Sequence, residues 1–161
     1  MAGANRVADD ETIFRRVKQC GPDNGWALYR EEPGGRVRFN SSAFNDPGFK
    51  PSVDRARLLH GNPHRSRRNS ELYGVVELAV AEIRALAVQS PGQQRCIVDV
   101  LPDPLPDNAA HALVVTTPPL DADKALKRLK DALARLATDR GWAVVPGSPL
   151  QLDQDGQSPS N

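Results

Sequence analysis

The chain has 161 residues, 39% of them hydrophobic, which suits one domain with one buried core. Its 21 basic and 20 acidic side chains leave a formal charge of +1, so no whole-molecule field argues for nucleic acid or an anionic membrane, and any electrostatic footprint must be local. Cys20 and Cys96 stand far apart without metal-ligand or redox spacing. That favours buried thiols in a reducing compartment over a disulfide framework, with the cytoplasm as the expected location.

The first residues, Met1 to Glu11, contain no apolar leader, and no later window approaches the ~18 apolar residues of a membrane span. Residues 11–20 fit either a strand or a helical turn. Residues 26–30 and 36–39 read as a hairpin across Glu31, Glu32, Pro33, Gly34 and Gly35. Ser52, followed by Val53, Asp54 and Arg55, reads as the N-cap of a helix running through Leu58 and Leu59. In 73–86 the β-branched run predicts a strand to about Val80, then a short helix. Residues 96–100 and 112–116 read as short buried strands rich in Val and Ile, and 142–145 as another.

The firmest element is a helix over 120–140. Ala122, Leu126, Leu129, Leu133 and Leu136 recur at helical spacing, Asp121 suits the N-cap and Gly141 the left-handed position after the end. Its other face alternates Asp123, Lys127, Asp131 and Arg135, a solvated surface. Together these elements predict an α+β fold: a small mixed or antiparallel sheet with one long amphipathic helix packed on it. Residues 1–146 form the expected domain. Residues 147–161, mostly Gly, Ser, Pro, Gln and Asp, read as a disordered tail.

Three stretches carry candidate chemistry. Between the 96–100 and 112–116 strands lies a proline-rich loop with Asp103, Asp107, Asn108 and His111. Asp99, Asp103, Asp107 and His111 recur every four residues, but Pro102, Pro104 and Pro106 forbid the helix that would align them as metal ligands. His111 opens an apolar strand, where it serves as a general base, a ligand or a core histidine bonded to the loop. The second stretch is basic. Residues 50–68 hold Lys50, Arg55, Arg57, Arg65, Arg67 and Arg68 against the single Asp54, with His64 among them, a density that suits phosphates or an acidic partner. Trp26, Tyr29 and Phe39 either stack beside it or belong to the core. Third, Ser41 and Ser42 would suit a nucleophile if His111 lay near, although no strained nucleophile turn accompanies them.

The order Phe39-x-Ser-Ser-Ala-Phe44, Pro51-Ser-Val-Asp-Arg-Ala56, then Asn108-x-Ala110-His111-Ala112-Leu113, resembles a group of short bacterial proteins sharing an S-x-A-F, P-S-V-D-x-A and N-P-A-H-A order. This chain has Ala109 where that pattern has proline. The resemblance spans roughly residues 36–116. It implies a shared fold and a shared surface formed by Ser42, Asp54, Arg55, Asn108 and His111, and it implies no reaction.

Two function classes follow. One is a bacterial binding or accessory module that engages a protein or nucleic-acid partner through Arg55, Arg57, His64, Arg65, Arg67 and Arg68, with Ser42 and Asn108 nearby. The other is a small hydrolase or phosphate-handling enzyme in which His111 is the base, Asp54 or Asp103 orients it and Arg55 or Arg67 holds an anionic substrate. Neither calls for a metal or a cofactor, and no membrane partner is expected. The two separate on geometry: the enzyme needs His111 within hydrogen-bond reach of a carboxylate inside a pocket that also receives an arginine, whereas a buried His111 with its nitrogens tied to loop backbone argues against it.

Overall fold

The computed structural model describes residues 6–19, 28–46, 50–89, 95–120 and 123–151. Seven strands run in the order β1 (Thr12–Lys18), β2 (Tyr29–Glu32), β3 (Arg36–Phe39), β4 (Ser52–Arg55), β5 (Tyr73–Ala79), β6 (Ile97–Pro102) and β7 (His111–Thr117). Two helices, α1 (Val80–Arg84) and α2 (Asp123–Arg140), complete an α+β fold. Five strands make one sheet in the spatial order β5-β1-β4-β7-β6, with every pairing antiparallel, while β2 and β3 form a separate ribbon. Among the described residues no helix is long and apolar enough to cross a membrane.

Strand periodicity sorts the sheet into two faces. One carries Ile13, Val17, Val76, Leu78, Val98, Val100, Ala112 and Val114 and joins the main core with Leu126, Leu129, Leu133, Ala134 and Ala137 of α2. Helical spacing places these α2 residues on one stripe. The other face is built differently. Over β5 and β1 a smaller cluster forms from Phe14, Val75, Ala56 and Val144, with Leu59 against it. Its cover is made of turns: 3₁₀ segments at Ala56–Leu59 and Pro63–Arg67, and the chain around Val144. On the main-core face Gly74, paired with Val17, leaves room for the chain after α2, since a Cβ there would stand 2.5 Å from the Trp142 ring and 2.7 Å from Pro146.

The ribbon docks through aromatic edges. Phe39 and Tyr29 meet Trp142 in T-shaped contacts at 4.7 and 5.0 Å between ring centroids, and the Phe39 N–H donates to Thr138 Oγ1 on α2. Tyr29 and Phe39 are therefore core residues, not nucleic-acid stacking surfaces. Trp26 and Cys20 lie outside the described residues, as does Asp121, the expected N-cap of α2.

Several elements fall where their periodicity places them, including β5 followed directly by α1, and Gly141 with φ +75° after α2. Three differ. Residues 142–145 form no strand: they make a single bridge in which Val75 N–H donates to Val144 O and Ala143 N–H to Val75 O, tying the edge of β5. Ser52 caps no helix. Val53 is drawn between β1 and β7, so residues 52–55 are extended and the turn begins only at Ala56. The first part of the expected tail is held in place: Gly147 N–H donates to Glu71 O, Arg67 donates to the carbonyls of Ser148 and Pro149, and Asn62 Nδ2 donates to Gln151 O. Buried guanidinium and amide donors need acceptors, and this backbone supplies them. Residues 152–161 lie outside the described residues.

Two ion pairs clamp β4. The Arg55 guanidinium bonds both carboxylate oxygens of Glu11, at 3.0 and 2.9 Å, and Glu11 also accepts the Ala8 N–H. On the other side Arg15 bonds both oxygens of Asp46 and donates to Ser52 O and Ala43 O. Burial opposes ionisation of Glu11, but the bonds from Arg55 and Ala8 and the charges of Arg55 and Arg57 outweigh it and hold its carboxyl below the usual range. Asp46 is held low in the same way: burial opposes the charge, while Arg15 and the Ser52 N–H favour it more.

Because folding lowers both carboxyl pKa values, their stabilisation is fully present above the unfolded values, near pH ~4, and is lost as pH falls through the lower folded values. Glu11→Gln leaves Arg55 buried without its counter-charge and is expected to cost about 3 kcal/mol at pH 7. Urea unfolding from pH 7 to pH 3 should show this loss together with a shallower acid dependence than wild type; an unchanged slope would contradict the assignment.

Candidate functional site

The register of the sheet sets Asp54 of β4 directly opposite His111 of β7, and Phe14 of β1 opposite Asp54. Ser52, two residues before Asp54, shares that face, as does Arg16, two residues after Phe14. This is the face away from α2.

His111 is 8% exposed and both ring nitrogens are engaged. Nδ1 lies 2.8 Å from the backbone oxygen of Asp103 and 3.2 Å from its Oδ2, while Nε2 lies 2.5 Å from Ser52 Oγ. A carbonyl oxygen only accepts, so Nδ1 carries the proton. In the neutral ring Nε2 is then an acceptor, and the Ser52 hydroxyl donates to it. A hydroxyl and an imidazole are thus joined in the order a proton follows when a serine is activated, with the far ring nitrogen bonded to the Asp103 backbone carbonyl and 3.2 Å from its carboxylate.

Supporting bonds fix each member. Ser52 N–H donates to Asp46 Oδ2 at 2.6 Å, and Arg15 holds the Ser52 carbonyl from the other side. His111 O accepts the Asp103 N–H at 2.9 Å, closing the loop on itself. Asp54 does not touch the imidazole through its described bonds. Its Oδ2 accepts the Ser66 hydroxyl at 2.6 Å and its Oδ1 accepts Asn108 Nδ2 at 2.8 Å, so it ties the 63–67 turn and the 103–110 loop to β4. Asn108 also accepts the Ala110 N–H, an Asx turn within its own loop. Of the two carboxylates proposed to orient His111, Asp103 occupies the position and Asp54 serves as a structural anchor.

The expected basic surface divides. Asn62 caps the 63–67 turn by accepting the His64 N–H, and left-handed backbone at Arg68 (φ 52°) and Asn69 (φ 59°) reverses the chain, sending Arg67 inward and Arg68 outward. Arg67 is fully buried, donating to the carbonyls of Tyr73, Glu71, Ser148 and Pro149 and lying 3.1 Å from His64 Nδ1. Burial, then the Arg67 charge, pushes His64 below the ordinary histidine range, so Nδ1 stays free of its proton and accepts from Arg67. Arg55 is committed to Glu11. Neither Arg55 nor Arg67 is placed to hold a substrate or partner. Arg57, which faces Asp10 and Glu11, and Arg68 are exposed, and Arg65 is half-buried.

Ser42 is exposed on the Ser41–Phe44 turn, its N–H donating to the Asn40 side chain, and that turn packs on α2. The serine that meets His111 is Ser52. The four-residue series in the loop does not converge: Asp99 pairs with Arg84 while Asp103 meets His111, and among the described residues no three His, Cys, Asp or Glu side chains gather as metal ligands. A cleft of about 700 Å³ opens on the α2 side, lined by Arg30, Arg38, Phe39, Arg135 and Asp139 among others, and includes neither Ser52 nor His111. Comparisons with protein-family profiles, curated proteins and solved structures match nothing.

The two neighbouring arginines predict opposite results. Arg67→Met strands several buried carbonyls and is expected to cost about 3 kcal/mol in urea unfolding, whereas Arg68→Ala should stay within about 0.5 kcal/mol. Equal effects would show that the inward and outward assignments are mistaken.

Proposed function

We propose that this chain is a small serine-dependent hydrolase in which Ser52 is the nucleophile, His111 the general base and Asp103 the group that orients His111. The observation that carries the proposal is the pairing of Ser52 Oγ with His111 Nε2 while Asp103 fixes the proton on Nδ1. The reaction class is acyl transfer to water. Ser52 Oγ forms a bond to the acyl carbon as its proton passes to Nε2. The leaving oxygen departs with that proton, and water, deprotonated in turn by His111, then releases the acid and restores Ser52. The imidazolium formed in each half is stabilised by Asp103.

The setting supports this assignment. Ser52 and His111 sit on paired strands whose register fixes their separation, which is the rigid support a proton-transfer pair needs. Ser52 is half-buried.

A binding module that engages a protein or nucleic-acid partner is the second reading, and the outward Arg57 and Arg68 favour it. It draws less support than the sequence promised, because Arg55 and Arg67 are spent inside the fold. A fluorescent oligonucleotide whose affinity falls steeply with salt and vanishes in an Arg57/Arg65/Arg68 triple alanine variant would establish it.

The hydrolase is tested by covalent labelling. A fluorophosphonate probe should add once to the intact protein, with the modified peptide containing Ser52. Ser52→Ala should remove the label and His111→Ala should slow it by about 100-fold or more, with both variants still folded by circular dichroism. Labelling at another residue, or no labelling of wild type, would sink the proposal.

A further inference from the structure

The face that presents Ser52 and His111 also presents cations that the interior does not use. Arg16 follows Phe14 by two residues on β1, and Phe14 pairs with Asp54, so Arg16 lies on the same face as Ser52 and Asp54 on the neighbouring strand. Its guanidinium stands 5.5 Å from the Tyr73 ring centroid, a cation–π contact that leaves the edges of the fork open. Lys18, opposite Tyr73 in the register, continues the stripe and is exposed. Arg68 points outward from the left-handed end of the 63–67 turn. Among the described residues no carboxylate lies within ion-pair distance of Arg16 or Arg68, whereas Arg15, Arg55, Arg57 and Arg84 each have one.

The neighbouring charges fit a cationic site with vacant valence. Burial lowers the Arg16 pKa most and the charge of Arg68 next, while Asp54 and Tyr73 oppose them, so Arg16 senses both Arg68 and Asp54. Asp46, which holds the Ser52 N–H, senses Arg16 as well. Asp46 is paired with Arg15, whereas Asp54 is bonded only by the neutral Ser66 and Asn108 side chains, so a single unpaired carboxylate faces both Arg16 and Arg68. A half-buried Arg16 and an exposed Arg68 that repel each other and face one unpaired carboxylate gain from an incoming oxyanion that both can bond.

We propose that Arg16 and Arg68 form an anion-holding subsite beside Ser52, and that the substrate is an ester whose acyl part carries a carboxylate or phosphate group. This rests on the hydrolase reading for its use of Ser52, but the anion subsite stands or falls by itself. Binding energy from the remote charge would position the ester carbonyl against Ser52 Oγ, so its loss should appear in kcat/KM for charged esters and not for neutral ones.

The experiment uses the full chain and four proteins: wild type, Ser52→Ala, Arg16→Gln and Arg68→Gln. Inorganic phosphate and acetate are titrated separately by calorimetry, which distinguishes a phosphate from a carboxylate preference without requiring turnover. Hydrolysis of p-nitrophenyl acetate is compared with that of mono-p-nitrophenyl succinate. Wild type and Ser52→Ala should bind one of the anions, Arg16→Gln and Arg68→Gln should bind it at least about tenfold more weakly, and both arginine variants should lose about tenfold in kcat/KM for the succinate ester alone. Arg68, being exposed, provides the readout should Arg16→Gln fail to fold. Anion binding that depends on the arginines with no ester turned over upholds the subsite and removes the hydrolase. Turnover without charge preference, or anion affinity unchanged in both arginine variants, overturns the subsite and leaves the hydrolase intact.

Discussion

The fold depends on how β4 satisfies its polar groups. This strand has only four residues, yet it joins β1 to β7 in the middle of the sheet, and three of its side chains are Ser52, Asp54 and Arg55. A buried strand normally reads as Val, Ile and Leu; one carrying an aspartate and an arginine must find a partner for each or lose several kcal/mol per group. Glu11 answers Arg55, Ser66 and Asn108 answer Asp54, and His111 answers Ser52. Those partners come from the start of β1, the 63–67 turn and the loop before β7. Placing them fixes the strand start before β1 on one face and the 63–67 turn and the loop before β7 on the face away from α2.

The same requirement explains why chemistry and architecture are interleaved there. On the α2 side the sheet is closed mainly by aliphatic packing, with Arg15 and Arg55 paired to Asp46 and Glu11 at its margin. On the far side turns replace a second helix, and turns are held by side chains that donate and accept: Arg67 collects carbonyls, Asn62 caps, Asp54 staples. Within this network Ser52 and His111 differ from the rest because their bond can transfer a proton, and because Asp103 leaves Nε2 with only one possible role. Arg16 and Arg68 differ in another way, having no carboxylate within ion-pair distance among the described residues. On the proposed reading, the Ser52 hydroxyl and this pair of cations on one face would serve a single anionic ester.

Much of the architecture was legible in the chain. The spacing of Leu126, Leu129 and Leu133 defined α2, the β-branched run from Val75 defined β5 and its turn into α1, and the apolar segments around the proline-rich loop defined β6 and β7. His111 and Asp103 also stood out, a histidine opening a strand and an aspartate on the loop before it. Ser52 was missed because Ser-Val-Asp-Arg reads equally as a helix cap and as a strand with Ser and Asp on one face. Only pairing with β1 and β7 decides between them, and that pairing is long-range. The basic segment misled for a related reason: composition counts charges but does not show which way a left-handed turn sends them, and Arg67 and Arg68 are adjacent in sequence yet opposite in role. Nothing local marks Arg16, whose place beside Ser52 depends on the pairing of β1 with β4.

The most direct test of the central geometry is the tautomer of His111, read from the ¹⁵N shifts and ring couplings of the imidazole at a pH where the ring is neutral, with His111→Gln to identify its signals. The proton is predicted on Nδ1, with Nε2 unprotonated and its shift moved by Ser52→Ala. A proton on Nε2 would make the imidazole a donor to Ser52, abolish its capacity to act as base and reduce the pair to a structural hydrogen bond.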